Sequence, residues 1–403
     1  MTEPAVLIDV TDDTLFGRNA FWPMFAWLRQ NDPVHWHAEA GGRGFWVVTR
    51  HADVTRVYTD SETFSSRHGM RLGSVDKAVA AVSGRMLIVS DPPDHNRIKS
   101  VISKALGHSE LPRMERLARA AAAHAIDDVL QRDEVDFYEV AKRLTNHVIC
   151  SLMGIPAADW DWVCDTISAA FEGTDEESKR HAHSEIFLYF SELLDERRKN
   201  PGDDFISRIA TDQRVAETGR RPLTDEEIVF NCSGVLSGAN ETTRFSTAGA
   251  VLALAEHRDQ WELLRSGDGA AVEKMLPAAV EEVLRWTVPG VHILRTALRP
   301  ATIGGVDIAS GDRVTLWNVS ANRDEEEFPQ ADRFLVDRTP NRHVTFGAGR
   351  HLCIGARLAR LELTVFLREL AGRVRTIEVR DQPVYNASNF TWGLSRLAVR
   401  LSA

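Results

Sequence analysis

Apolar residues recur at three- and four-residue steps, with charged residues between them, over 111–131, 138–154, 158–172, 177–199, 224–257, 270–287 and 355–372. That spacing gathers apolar side chains onto one face of a helix and predicts a helix in each segment. Strand-like stretches are fewer and shorter: 44–50, 293–298, 301–308, 313–318, 376–380 and 396–401, with Gly304-Gly305 and Ser310-Gly311 as turns among the middle ones. The pattern predicts a mainly α protein with small β-sheets at its margins. Pro201-Gly202 and Gly267-Asp268-Gly269 are short turns between helices, and no linker-like stretch divides the chain. A single domain over 1–403 is therefore expected, although the length would allow two or three.

The segment 224–257 departs from an ordinary core helix. Thr224 followed by Asp225, Glu226 and Glu227 is a capping-box start with acids in the first turn, and no proline interrupts the run before His257. Such a helix would be about 50 Å long, enough to cross the domain. Its middle, Ser237-Gly238-Ala239-Asn240-Glu241-Thr242-Thr243, carries small residues, an acid and hydroxyls where leucine and isoleucine would be usual. One reading is a small-residue packing notch with a threonine bonded to the preceding turn. The other is a flat ligand lying against the helix, reached by a hydroxyl and served by an acid that manages protons.

Composition narrows the class. The chain has 403 residues, 43% hydrophobic and 26% charged, with 26 glycines and 15 prolines, which excludes disordered and collagen-like proteins. The net charge of −10 argues against a nucleic-acid partner, because that affinity rests on summed positive charge. Cys150, Cys164, Cys232 and Cys353 are widely spaced, with neither CxxC nor HExxH, so no disulfide framework or zinc site is expected and the compartment reads as reducing. The first twenty residues carry Glu3, Asp9, Asp12 and Asp13 and lack the basic-then-apolar opening of a secretory leader. The most apolar stretch, 228–254, is broken by Glu241 and Arg244, which fits a buried helix better than a membrane span. A cytoplasmic protein with no membrane partner is the expectation.

The densest chemistry lies in Phe346-Gly347-Ala348-Gly349-Arg350-His351-Leu352-Cys353-Ile354-Gly355, just before a predicted amphipathic helix. A thiolate at a helix N-terminus is stabilised by free backbone N–H groups and the helix dipole, so Cys353 is placed to ligate a soft metal centre. Gly347 and Gly349 allow a tight turn, and Gly355 removes a side chain where a planar group would approach. The other three cysteines read as small hydrophobes.

This stretch, FGxGxHxCxG, resembles the haem-binding loop of the cytochrome P450 monooxygenases in their soluble bacterial form. Three further signatures follow the family's order along the chain. Glu282-Val283-Leu284-Arg285 resembles the ExxR pair, with Arg333 in Asp332-Arg333-Phe334 as its partner arginine. The segment 238–242 is similar to the oxygen-activation segment, with Ala239 where glycine is usual. Asp91-Pro92-Pro93-Asp94-His95 resembles the start of a helix that contacts haem propionates.

The resemblance implies haem b between a long central helix and the Cys353 loop, with Cys353 as the iron ligand. Phe346, Gly347 and Gly355 would shape the loop, and His95, Lys99, Arg295 and His351 would meet the propionates; lysine at 99 keeps the charge of the more usual arginine but not its fork. Glu241 and Thr242 are the implied catalytic residues, the hydroxyl bonding oxygen and the acid relaying protons. Glu282, Arg285 and Arg333 would be structural. Met86, Leu87, Leu236, Ser237, Val291, His292, Phe390 and Thr391 fall in segments that line the family's substrate pocket.

The implied activity is insertion of one oxygen atom from O₂ into a C–H bond of a small organic substrate of secondary metabolism, free or tethered to a carrier protein. Five arginines and no acid lie between Arg338 and Leu361. Arg350, Arg357 and Arg360, with Lys104 and Arg113, would dock an acidic ferredoxin supplied by its reductase, since the chain has no dinucleotide fingerprint or ferredoxin cysteine cluster. Two rivals stand beside this reading: a haem-thiolate enzyme that couples rings, desaturates or uses peroxide, and a haem-binding sensor without turnover.

Overall fold

The computed structural model describes residues 8–39, 42–172, 175–212, 221–266 and 269–403. Most of the Gly267-Asp268-Gly269 turn and the first seven residues lie outside them.

Each predicted helix is present: Leu111–Leu130, Phe137–Met153, Trp160–Glu172, Glu176–Lys199, Asp225–Glu256, Gly269–Thr287 and Ala356–Arg373. Their starts follow local chemistry. The side chains of Asp136 and Asp175 accept from the backbone N–H groups of Tyr138 and Ser178, satisfying donors that the first turn leaves open. Thr224 and Glu227 form the expected reciprocal capping box at the head of the central helix, Asp225–Glu256. Gly154 ends Phe137–Met153 with φ of 83°, a left-handed conformation that favours glycine. Trp22–Asn31, His51–Thr59 and Asp94–Ala105 are further helices.

The largest sheet runs Val34–His37, Phe45–Val48, Arg313–Trp317, His292–Ala297, Phe64–Ser65, and only the second and third of these strands pair in parallel. The expected strand 301–308 is a hairpin, Ala301–Ile303 with Val306–Ile308, because Gly304 and Gly305 both take positive φ and turn the chain back. Near the C-terminus, Ala398–Ser402 pairs with Thr376–Val379 and Val135–Asp136, while Leu394–Arg396 pairs with Val384–Tyr385.

The central helix packs against Phe137–Met153, Trp160–Glu172, Glu176–Lys199, Gly269–Thr287 and Ala356–Arg373. Enclosure on so many sides explains why its apolar residues are not confined to one stripe. Two outside ties fix its first turn: Glu227 is held by Arg97 at 2.6 and 3.1 Å and by Arg221 at 2.6 and 3.1 Å. Burial disfavours the Glu227 carboxylate, but the two guanidinium groups and the cap N–H outweigh it and hold its pKa at about 2.

Glu282 and Arg285 form the expected pair, both fully buried, with two contacts of 2.8 Å. The partner arginine is corrected by the structure. Arg338 Nε donates to Glu282 Oε2 at 3.0 Å, whereas the Arg333 guanidinium points outward to Gln330 Oε1 at 2.7 Å. Arg333 supplies its backbone carbonyl, which accepts from both Arg285 and Arg338.

Candidate active site

One cavity is walled by the central helix on one side, through Gly238, Ala239, Glu241 and Thr242, and by the cysteine loop on the other, through Phe346, Gly347, His351, Cys353 and Gly355. The loop is held from within: Cys353 N–H donates to the Phe346 carbonyl at 2.9 Å, and Gly347 N–H to that of Val344 at 2.8 Å. Gly349 has φ of +67°, and a Cβ there would lie 2.8 Å from the Tyr58 carbonyl, so both conformation and space require glycine. Cys353 Sγ is open to the cavity yet surrounded by protein. Burial raises its pKa, opposed by the N–H groups of Gly355 and Ala356 and by the charges of Arg360 and Lys99.

His95, Lys99, Arg295 and His351 all line the cavity. The His95 and His351 rings are 4.3 Å apart between centroids, and Ser66 Oγ lies 3.1 Å from His351 Nε2. Lys99 Nζ donates to the Arg350 carbonyl. Burial drives the His351 pKa down to about 2, and the charges of Arg295, His95, Lys99 and Arg350 push the same way. His95 Nε2 is buried without a partner. A cluster of donors with an orphaned buried nitrogen is chemically incomplete, and carboxylates are the groups that complete it. Tyr58 and Asn318, which the sequence did not single out, border the same cavity; Tyr58 Oη donates to Asn318 Oδ1 at 2.9 Å, and burial pushes its pKa up to about 12.

Thr242 Oγ1 donates to the Gly238 carbonyl at 2.5 Å, the back-bond that the packing reading foresaw, while still bordering the cavity. Glu241 is buried and paired with Arg244 on its own helix, and Arg244 also reaches Ser168 Oγ at 3.2 Å. No side chain lies within 4 Å of the Cβ that a substitution would add at Gly238, so this stretch of helix presents a bare face.

The expected substrate-pocket residues divide. Met86, Leu87, Ser237, His292, Phe390 and Thr391 border the cavity. Leu236 and Val291 do not: both are fully buried in the packing behind it, Leu236 in the helical core and Val291 among Phe16, Phe25 and Trp317. His292 borders the cavity but has no nitrogen to offer. Nδ1 lies 2.7 Å from the Asn389 carbonyl, Nε2 accepts from Leu72 N–H at 3.1 Å, and burial lowers its pKa to about 4.

The basic island is also largely committed within the molecule. Arg338 is bound to Glu282, and Arg360 forms two bonds to Glu281 at 2.6 and 2.8 Å. Arg342 faces Glu327 at 3.6 Å, Lys104 bonds Asp212 at 2.8 Å, and Arg113 caps the carbonyls of Asp203 and Ser151. Of the residues expected to dock a ferredoxin, Lys104, Arg113 and Arg360 thus carry bonds within the molecule, while Arg350 is exposed.

The sequence profile described as Cytochrome P450 matches residues 156–373. Cytochrome P450 NovI of Streptomyces niveus is 35% identical, with 98% of this chain and 96% of that protein covered. Linalool 8-monooxygenase of Pseudomonas putida is 34% identical, covering 98% of each. The crystal structure of P450 OxyD, involved in the biosynthesis of vancomycin-type antibiotics, aligns with a TM-score of 0.86 at 34% identity, covering 98% of this chain and all of that one. These matches make the protein an oxidoreductase of the haem-iron monooxygenase class. The chain belongs to the cytochrome P450 family. A haem group fits the residues present: a lone thiol facing the cavity, a bare helix opposite it, and a cluster of donors lacking an anion. No helix among the described residues is long and apolar enough to cross a membrane.

Proposed function

We propose that the protein uses haem b held by Cys353 to insert one oxygen atom of O₂ into a C–H bond of a small, largely apolar organic molecule. The observation that carries this reading is the meeting of Cys353, Thr242 and the His95, Lys99, Arg295, His351 cluster around one cavity. Bound there, the group supplies a redox iron that activates oxygen once electrons arrive, with its thiolate ligand favouring O–O cleavage.

The protein's own residues do the rest. The Cys353 sulfur, ionised on ligation, keeps the N–H groups of Gly355 and Ala356 as its partners. Lys99 and Arg295 bring positive charge to the two propionates, His95 and His351 bring neutral ring N–H donors, and the orphaned His95 Nε2 gains a partner. Thr242 releases the Gly238 carbonyl and turns its hydroxyl to the cavity, where it orients reduced oxygen. Glu241 is the charged end of a relay and takes part when Arg244 releases it and keeps its bond to Ser168. Met70, Met86, Leu87, Ile88, Phe171 and Phe390 exclude water from the substrate side.

A lining so apolar, with His292 and Asn231 already satisfied by backbone groups, suits terpenoid, polyketide or aromatic skeletons carrying few polar groups. Monooxygenation of linalool and antibiotic biosynthesis among the relatives point the same way. Electrons come from a ferredoxin and its reductase, which meet the cysteine side at the exposed Arg350 and Leu352.

Thr242→Ala tests the oxygen-activation part. With surrogate ferredoxin, reductase and a ligand that shifts the ferric haem spectrum, the variant is expected to keep electron consumption while peroxide released per electron rises several-fold. Unchanged coupling contradicts the assignment. Turnover by wild type with added hydrogen peroxide alone, equal to that with redox proteins, would instead favour a peroxygenase.

A further inference from the structure

Glycine inside a helix is less stable than alanine, so the three glycines of the central helix, Gly234, Gly238 and Gly249, call for a reason. A Cβ at Gly249 would meet Thr287 Cγ2 at 2.6 Å, so that glycine makes room for a neighbouring helix. One at Gly238 would meet no atom within 4 Å, because that face is a wall of the cavity. One at Gly234 would lie 2.5 Å from Met86 Cε. The Met86 side chain therefore ends in the notch that Gly234 leaves, and both residues border the cavity.

The main chain around Met86 is tied to the same helix. Asn231, one turn before Gly234 and 2% exposed, clamps it on both sides: Nδ2 donates to the Arg85 carbonyl at 2.9 Å, and Oδ1 accepts from Leu87 N–H at 2.9 Å. Arg85 pairs with Glu226, also on that helix, at 3.0 Å. Met86 N–H donates to the Val82 carbonyl at 3.0 Å, and the Met86 carbonyl accepts from Ser90 Oγ at 2.7 Å. On a backbone so held, the thioether moves by its own three torsions and has the cavity as its open side.

Asn231, Gly234, Val235, Gly238, Glu241 and Thr242 recur at three- and four-residue steps, so they share one face of the helix, and all six border the cavity. Thr242 lies about 12 Å along the axis from Gly234, at about 1.5 Å per residue. We propose that Met86, seated on Gly234 and held in place by Asn231, is the end stop of the substrate site: it limits how far a ligand extends along the central helix from Thr242. The proposal rests on the haem-thiolate reading above and narrows its substrate class. Compact apolar skeletons, branched or cyclic as in small terpenoids, fit within that reach, whereas the distal carbons of a straight long acyl chain run into the thioether.

A series of N-alkylimidazoles, ethyl to dodecyl, tests the stop on the haem-loaded protein without turnover. The imidazole nitrogen anchors on ferric iron, the alkyl tail reports the room beyond it, and Kd is read from the shift of the ferric spectrum. In wild type, affinity should rise roughly fourfold per methylene while the tail is still being buried, and then level off where it meets Met86. Met86→Ala should carry the rise about two or three methylenes further, tightening the longest tails by about tenfold or more. Gly234→Ala, which drives the thioether off the helix, should end the rise earlier and weaken the longest tails that fit wild type by about tenfold. Adding Met86→Ala to Gly234→Ala should erase that loss. A rise without a break in wild type, or a break at the same length in all four proteins, overturns the end stop, and a loss that persists in the double variant overturns the notch. No ferric shift with even the shortest imidazoles would overturn the haem reading itself, which the other outcomes leave standing.

Discussion

Glu282 accepts from five donors: Nε and Nη2 of Arg285, Nε of Arg338, Nδ2 of Asn341 and the backbone N–H of Leu335. Removing one partner of a buried, hydrogen-bonded charge costs about 3–5 kcal/mol, because the other charge stays buried and unpaired. Arg338→Ala is therefore expected to destabilise the fold by about that amount and to remove the donor of the Pro329 carbonyl, whereas Arg333→Ala, whose guanidinium is at the surface, should stay within about 0.5 kcal/mol. Urea denaturation of the two variants decides between them; equal losses would contradict the assignment. The sequence pointed to the wrong arginine for a physical reason. Both stand on the same irregular segment, and only the path of that loop determines which side chain turns inward and which contributes its carbonyl. His292 borders the cavity, but the partners that occupy its nitrogens, Leu72 N–H and the Asn389 carbonyl, come from segments distant in sequence that no local pattern joins.

Elements were legible where local chemistry and burial agree. Thr224, Asp225 and Glu227 announced the head of the central helix, and the same glutamate proves to be the anchor for Arg97 on Asp94–Ala105. Its folded pKa of about 2 lies below the ordinary 4.5, so this anchor contributes stability above the unfolded value and loses it as pH falls from about 4.5 toward 2. Glu227→Gln, which keeps a cap acceptor but no charge, should lower the urea midpoint at neutral pH and narrow the gap between neutral and acid midpoints. An unchanged gap would show that the tie is idle. The resemblance named both Leu236 and Ser237 for the substrate wall, yet only Ser237 borders the cavity while Leu236 is buried in the core, since a step of one along a helix turns the side chain by about 100°. On the neighbouring segment Val291 turns into the core and His292 does not. The charge run after Arg338 was legible as composition but not as surface, because its partners, Glu281, Glu282 and Glu327, lie elsewhere in the chain.

At the scale of the whole molecule, segments around residues 58, 95, 242, 295 and 353 converge on one cavity, and the fold exists to bring them there. The motif at 346–355 carried most of that message, because a cysteine held by a glycine-rich turn ahead of a helix is a contiguous feature. The central claim is that Cys353 sulfur ligates the haem iron, and the carbon monoxide difference spectrum of the dithionite-reduced, haem-loaded protein tests it most directly. Wild type should give the thiolate-type band, and Cys353→Ser should lose it while still taking up haem; a wild type without that band, or a serine variant that retains it, would contradict the account.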